Sequence, residues 1–234
     1  MLEIRGLHSF YGDAHILRGV SMDVPKGKVI ALLGRNGMGK TTLIRSIMGL
    51  TPPRVGEGSV KYNDQELVGL TPHAVAKKRI GLVPQGRRLF GSLTVVEHLK
   101  VFASKSADSP WSVERIFELF PRLSERKGHF GNQLSGGERQ MLAVARALML
   151  DPEMLLMDEP SEGLAPVMVQ HLEEIIAELG KTGLGILLVE QNLYSALAVA
   201  DEVYIMETGQ IVHHCSAKDL ENDHDTMHRF LGVR

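Results

Sequence analysis

The sequence predicts an α/β protein: a mostly parallel sheet wrapped by helices, with a helical lobe inserted into it. Three observations predict it. A short apolar run, a glycine-rich loop and a helical pattern follow one another over residues 28–48, the opening of a parallel α/β unit. The apolar runs "MLLM" and "ILLV" do not alternate with polar residues, as expected of strands covered on both faces. From about Ser92 to Leu150 the periodicity is helical, with no convincing strand.

The elements follow in chain order. "KVIALL" (28–33) is a strand ending at Gly34, and Lys40 to Met48 is a helix stopped by Gly49, Pro52 and Pro53. "RIGLVPQ" (79–85), "MLLMD" (154–158), "GILLVEQ" (185–191) and "EVYIME" (202–207) are further strands. Within the helical lobe, Thr94 and Glu97 have capping-box spacing. "SKSADSP" (104–110) is a polar loop, and "SVERIFELF" puts Val113, Ile116, Phe117 and Phe120 on one face. Pro166 opens a helix with the stripe Val169, Leu172, Ile176 and Leu179. "METGQIVHH" is a hairpin turning at Thr208–Gly209. The tail after Ser216 is short and polar, too short for another domain.

Composition excludes several function classes. A chain of 234 residues with 44% hydrophobic and 23% charged residues is an ordinary globular protein. Its net charge of −2 makes no case for nucleic-acid binding. The single cysteine, Cys215, rules out an intrachain disulfide and suits a reducing cytoplasm. The N-terminus lacks the apolar core of a signal peptide. The longest apolar runs fall far short of the ~20 residues a membrane helix needs. A protein of this kind working at a membrane is expected to sit on a partner. His213, His214 and Cys215 are adjacent in a strand and point to different faces, which argues against a metal site. Met141, Met149, Met154 and Met157 are expected in the core.

"GRNGMGKTT", Gly34 to Thr42, fits G-x-x-x-x-G-K-[ST] between a strand and a helix. Backbone N–H groups of Gly34, Arg35, Asn36, Gly37 and Gly39 and of the helix start are placed to face phosphate oxygens. Lys40 is expected to reach the β- and γ-phosphates, Thr41 to ligate Mg²⁺, and Thr42 to complete the cradle. Asp158 and Glu159 follow a buried strand, and ligand sites in parallel sheets lie beyond the strands' carboxyl ends. There Asp158 can hold Mg²⁺, and Glu159 can orient and deprotonate a water attacking the γ-phosphate.

"LSGGERQ", Leu134 to Gln140, has the S-x-x-E spacing of a capping box at Ser135 and Glu138. The apolar positions after it have helical spacing, yet Gly136 and Gly137 occupy the first turn. Glycine costs roughly 1 kcal/mol against alanine in a helix interior, so a bare backbone there must serve something.

Together these segments resemble the ABC-type ATPases over nearly the whole chain: the Gly34 loop, the glutamine of "LVPQG" (Gln85), "LSGGERQ" and "LLMDEPSEGLAP". "PQGRRLFGSLTVVEHL", "ELFPRLSERK" and "LLVEQN" are similar to the LivF-type ATPases of branched-chain amino-acid importers. The ATPases of urea and other amino-acid importers are related. The resemblance implies a P-loop NTPase (ABC cassette) fold: a RecA-like, mostly parallel core, an antiparallel β subdomain and an inserted α-helical subdomain. The expected division is a core of 1–91 and 151–234 around a helical subdomain of 92–150.

The resemblance also implies roles. Ser135, Gly136 and Gly137, with the helix dipole, would close over ATP held by an opposite cassette, so that two cassettes sandwich two nucleotides. Tyr11 resembles the aromatic that stacks on adenine. Gln85 resembles the glutamine that senses Mg²⁺ and the γ-phosphate and links the lobes. The surface around Gln85 would receive a coupling helix from a membrane subunit; Arg87 and Arg88 either line that groove or are solvated. Two positions depart from the wider family: Gln191 stands where most ABC cassettes have a histidine, and Ala165 where an aspartate is usual. Glutamine can donate to a γ-phosphate but carries no charge. Both departures fit a heterodimer whose partner supplies the more usual residues.

The reading is therefore an ATP- and Mg²⁺-dependent ATPase subunit of an importer, peripheral on the cytoplasmic face of the membrane. Its implied partners are a second ABC ATPase subunit (a copy or a paralogue), permease subunits and, indirectly, a solute-binding protein, with no nucleic acid. A soluble ABC protein acting on ribosomes or DNA would usually have two cassettes or a long coiled coil. A P-loop kinase of small molecules leaves "LSGGERQ" unexplained.

Overall fold

The computed structural model describes residues 1–104, 106 and 108–231. Lys105 and Ala107, in the polar stretch expected to be a loop, lie outside them, as do residues 232–234. The chain opens with two long strands, β1 (Leu2–Tyr11) and β2 (Ala14–Val24), followed by β3 (Val29–Leu33) and helix α1 (Lys40–Ile47). Then come β4 (Arg54–Tyr62), β5 (Gln65–Glu66), α2 (Pro72–Ala76) and β6 (Ile80–Val83). The helices α3 (Val95–Phe102), α4 (Val113–Leu119), α5 (Pro121–Glu125) and α6 (Gly136–Leu148) precede β7 (Met154–Asp158). Then come α7 (Pro166–Lys181), β8 (Gly185–Glu190), α8 (Leu193–Leu197), β9 (Glu202–Glu207), β10 (Gln210–Ser216) and α9 (Ala217–Glu221), with short helical turns at His224–Thr226 and Met227–Leu231.

Two sheets result. The larger has the order β10-β9-β3-β8-β7-β6, parallel throughout except for β10, which pairs antiparallel with β9. The smaller, β2-β1-β4-β5, is antiparallel. All residues of β3, β7 and β8 are buried, which explains why their sequences do not alternate. Ile30, Leu32, Leu187 and Val189 pack with Leu43, Ile44 and Ile47 of α1 and with the smaller sheet. On the opposite face Leu155, Met157, Ile186 and Leu188 pack with α6 and with Leu172, Ile176 and Leu179 of α7.

The tail after Ser216 is more than polar. Ser216 caps α9, and Leu220 and Met227 are buried against Ala31, Leu33, Val203 and Ile205. No helix among the described residues is long and apolar enough to cross a membrane.

The turn between β9 and β10 fastens three parts together. Thr208 and Gly209 both have positive φ, 47° and 77°, as a tight two-residue hairpin requires. Gly209 donates its N–H to the Met38 carbonyl in the glycine loop at 2.9 Å, and its own carbonyl accepts from Arg18 N of β2 at 2.9 Å. A Cβ at Gly209 would run into the Ile16 carbonyl, so the approach needs glycine.

Candidate nucleotide site

β3 delivers the chain to Gly34, where a Cβ would lie 2.5 Å from the Met206 carbonyl oxygen. Gly37 (φ 81°) and Gly39 (φ 106°) are left-handed, a backbone form that glycine adopts without strain. Open space surrounds the position a Cβ of Gly37 would take, so that residue is fixed by its φ. Gly39 is the N-cap of α1 and provides no side-chain acceptor. The N–H groups of the first turn are thus available to an anion. Lys40 is buried, and its ammonium donates to the carbonyls of Gly34 (2.7 Å) and Arg35 (3.2 Å) and pairs with Glu159 Oε1 at 3.0 Å.

β7 places Asp158 as its last residue. Thr41 Oγ1 donates to Asp158 Oδ1 at 3.0 Å. Burial pushes the Asp158 carboxyl up to about 6, the Thr41 hydrogen bond opposing and the Glu159 charge adding to it. Glu159 follows in a left-handed conformation (φ 48°) and donates its N–H to the Val189 carbonyl. Its Oε2 accepts from Gln85 Nε2 at 3.3 Å, and the same nitrogen reaches Glu162 Oε2 at 2.9 Å. A cleft of about 320 Å³ is lined by Tyr11, Gly37, Lys40, Thr41, Gln85 and Glu159, among others, with Asn36 and Thr42 on its wall. Tyr11 is 37% exposed at the end of β1, so its ring is free to meet a flat group.

The donor set fits magnesium and not a softer metal. A hydroxyl and a carboxylate meet at Thr41 and Asp158, and Mg²⁺ takes hard oxygen ligands, completing its shell with phosphates and water. Among the described residues no group of three or more His, Cys, Asp or Glu is arranged to hold a metal by itself. His214 is otherwise engaged: its Nε2 lies 2.9 Å from Glu202 Oε2 and its ring stacks on Tyr204 at 3.9 Å.

Gln191, just after β8, lines a second cleft of about 310 Å³ with Glu159, Glu162, Glu190 and Asn192. The structure thus puts Gln191 beside Glu159. Glu190 and Glu162 are two residues the sequence reading missed. Glu190 is a buried carboxylate that accepts the backbone N–H of Ser161 at 3.0 Å and of Gln191 at 3.1 Å. It thereby ties the loop after Glu159 to the loop carrying Gln191. Burial pushes its pKa up while these bonds oppose the shift. Ending an apolar strand, it reads in sequence as one more strand residue; only its unpaired charge in "LLVE" hinted otherwise.

Ser135, Gly136 and Gly137 lie elsewhere. Ser135 caps α6 with both capping-box bonds present: Ser135 N to Glu138 Oε2 at 2.8 Å and Glu138 N to Ser135 Oγ at 3.3 Å. Ser135 borders a groove with Val167 and Met168 that is separate from the Gly34 cleft. The two glycines also have neighbours within the chain. A Cβ at Gly136 would be 3.0 Å from Arg87 Nη1, and one at Gly137 would be 2.8 Å from Met168 Cε. Arg87 is not simply solvated: its Nη2 donates to the carbonyls of Glu162 (3.0 Å) and Gly163 (3.3 Å). Arg88 is exposed. Ala165 is the N-cap of α7 and offers no side-chain bond.

A family model, ABC transporter, matches residues 17–162. This chain belongs to the ABC transporter family. Two relatives match nearly end to end. The high-affinity branched-chain amino acid transport ATP-binding protein BraG of Pseudomonas aeruginosa is 42% identical, covering 99% of this chain and 100% of BraG. A probable branched-chain amino acid transport ATP-binding protein LivF of Archaeoglobus fulgidus is 38% identical, covering 94% of each. A solved ATP-binding subunit of an ABC transporter superposes with a TM-score of 0.81 at 30% identity, over 95% of this chain and 92% of that one. As an ABC cassette the chain binds and hydrolyses ATP.

Proposed function

We propose that this cassette is the ATP-hydrolysing subunit of an importer for branched-chain amino acids or similarly small solutes. The observation that carries it is the cluster of Lys40, Thr41, Asp158 and Glu159 within hydrogen-bonding reach, in a chain alignable end to end with BraG. Lys40 exchanges its contacts with the Gly34 and Arg35 carbonyls and with Glu159 for the β- and γ-phosphate oxygens. Thr41 and Asp158, with the Gln85 amide oxygen, would hold Mg²⁺, which supplies neutralisation of charge on the phosphates. Glu159, freed from Lys40, orients and deprotonates the attacking water, a role typically worth ~10²–10⁴ in rate. Gln191 donates to the γ-phosphate, and Tyr11 stacks on the adenine.

Ser135, Gly136 and Gly137, at the N-terminus of α6, address the nucleotide of a second cassette, a copy or a paralogue. Residues 92–150 then act as a subdomain moving against the core of 1–91 and 151–234. Permease subunits dock near Gln85 on the cytoplasmic face of the membrane, and a solute-binding protein acts through them. Capture of the tagged chain from native membrane tests this: a permease and a second ATPase should co-purify. Glu159→Gln should retain ATP and trap a closed pair; unchanged turnover in that variant overturns the assignment.

A further inference from the structure

We propose that Glu162 is a positioning residue for Gln85: its carboxylate captures the amide nitrogen and so turns the amide oxygen toward the nucleotide cleft. This rests on the functional reading above. A glutamine amide has one donor end and one acceptor end. The end of Gln85 that lies 2.9 Å from Glu162 Oε2 and 3.3 Å from Glu159 Oε2 meets two carboxylates. Ionised carboxylates only accept, so that end is the NH₂, and the oxygen is what remains for a cation or a water.

Glu159 cannot do this holding alone. Its other oxygen pairs with Lys40, and the base must release its partners to act on water. Glu162 is outside that chemistry. It borders the neighbouring cleft while Gln85 borders the nucleotide cleft, so it grips the amide from behind. Its own place is fixed by a second rung between the same two loops. Arg87, two residues past Gln85, donates to the carbonyls of Glu162 and Gly163, and Glu162 N closes a turn on the Glu159 carbonyl at 3.2 Å.

The test is a double-mutant cycle on the full chain with two readouts. The first is the Gln85 side-chain NH₂ resonance without nucleotide. It should move in Glu162→Ala and stay near its native position in Glu162→Gln, whose amide oxygen still accepts. The second is the Mg²⁺ concentration that half-saturates the tightening of ATP binding. The Glu162–Gln85 bond is exposed, and solvent screens exposed charges, so Glu162→Ala should raise that concentration several-fold, up to about tenfold. Gln85→Ala should do the same, and the double variant no more than either. ATP affinity of Glu162→Ala in EDTA should be unchanged. An unmoved resonance, or additive effects of the two substitutions, overturns the proposal. A wild-type chain that neither binds nor hydrolyses ATP instead overturns the functional reading, and the resonance still decides the role of Glu162.

Discussion

Lys40 Nζ stands 3.0 Å from Glu159 Oε1, with the two side chains only 3% and 9% exposed. The residue expected to grip phosphate and the residue expected to activate water neutralise each other across the cleft. Removing one member of a buried pair leaves an uncompensated charge, typically costing ~3–5 kcal/mol. Lys40→Ala should therefore lose tight ATP binding and also lower stability by that order, read by nucleotide titration and by denaturant unfolding. Glu159→Gln should cost less stability, because Lys40 keeps the carbonyls of Gly34 and Arg35.

Asp158 should reveal a function held at the expense of stability. Its folded pKa is raised to about 6 from 3.8, so the folded state binds more protons than the unfolded state between those values. Its contribution is most favourable below pH 3.8 and is lost as pH rises through about 6. The shift corresponds to about 3 kcal/mol at pH 7. Asp158→Asn, which keeps an acceptor for Thr41, should be more stable than wild type at pH 7 in EDTA. That advantage should shrink as pH is lowered toward 5, in unfolding curves taken at each pH. Turnover should fall sharply.

His98 gives the opposite sign. It is fully buried on α3, with Nε2 accepting from Phe90 N at 3.0 Å and Nδ1 on the Thr94 carbonyl at 2.9 Å. Burial holds its pKa below 6.5, Arg146 adding to the effect and Glu97 and the Thr94 bond opposing it. The unfolded chain therefore takes up the proton first. Stability is full above pH 6.5 and is lost as pH falls below it. His98→Leu should flatten that acid-side slope in urea unfolding between pH 7.5 and 5.5.

Gly137→Ala separates the two uses of the bare helix turn. Alanine favours a helix by up to ~1 kcal/mol, while the new methyl would press on Met168 along its length, 2.8 Å from Cε, 2.9 Å from Cγ and 3.2 Å from Sδ, so that half-buried side chain must turn aside. Stability should stay within ~1 kcal/mol of wild type, while ATP-driven pairing in a Glu159→Gln background should be lost. Sedimentation with and without ATP measures this. Pairing that survives would mean the glycine serves Met168 alone.

Where local rules and tertiary packing agree, the sequence was readable. The run 28–33, the Gly34 loop and α1 follow from apolar continuity, glycine and helix spacing. The Thr94–Glu97 and Ser135–Glu138 boxes are both formed, because each needs only its own four residues. The β1–β2 hairpin was not legible from pattern. Its pairing shifts register between Ile4 and Leu7, Leu7 and His8, and Ser9 and Phe10, and each irregularity breaks the alternation that marks a strand. Glu162, Arg87 and Glu190 were illegible for another reason: their partners lie 29 to 77 residues away along the chain. The glycines of α6 looked free of intrachain duties because Arg87 and Met168 reach them only through the fold.

The Gly209 turn has a consequence for nucleotide choice. It bolts the hairpin that ends at Tyr11 to the loop that starts α1, through Arg18 on one side and Met38 on the other. If Tyr11 stacks on the base and Lys40 meets the terminal phosphates, as proposed, the backbone spacing between those two ends is braced by these bonds before any ligand arrives. A ligand whose flat base and terminal charge are spaced differently is then expected to forfeit one of the two contacts.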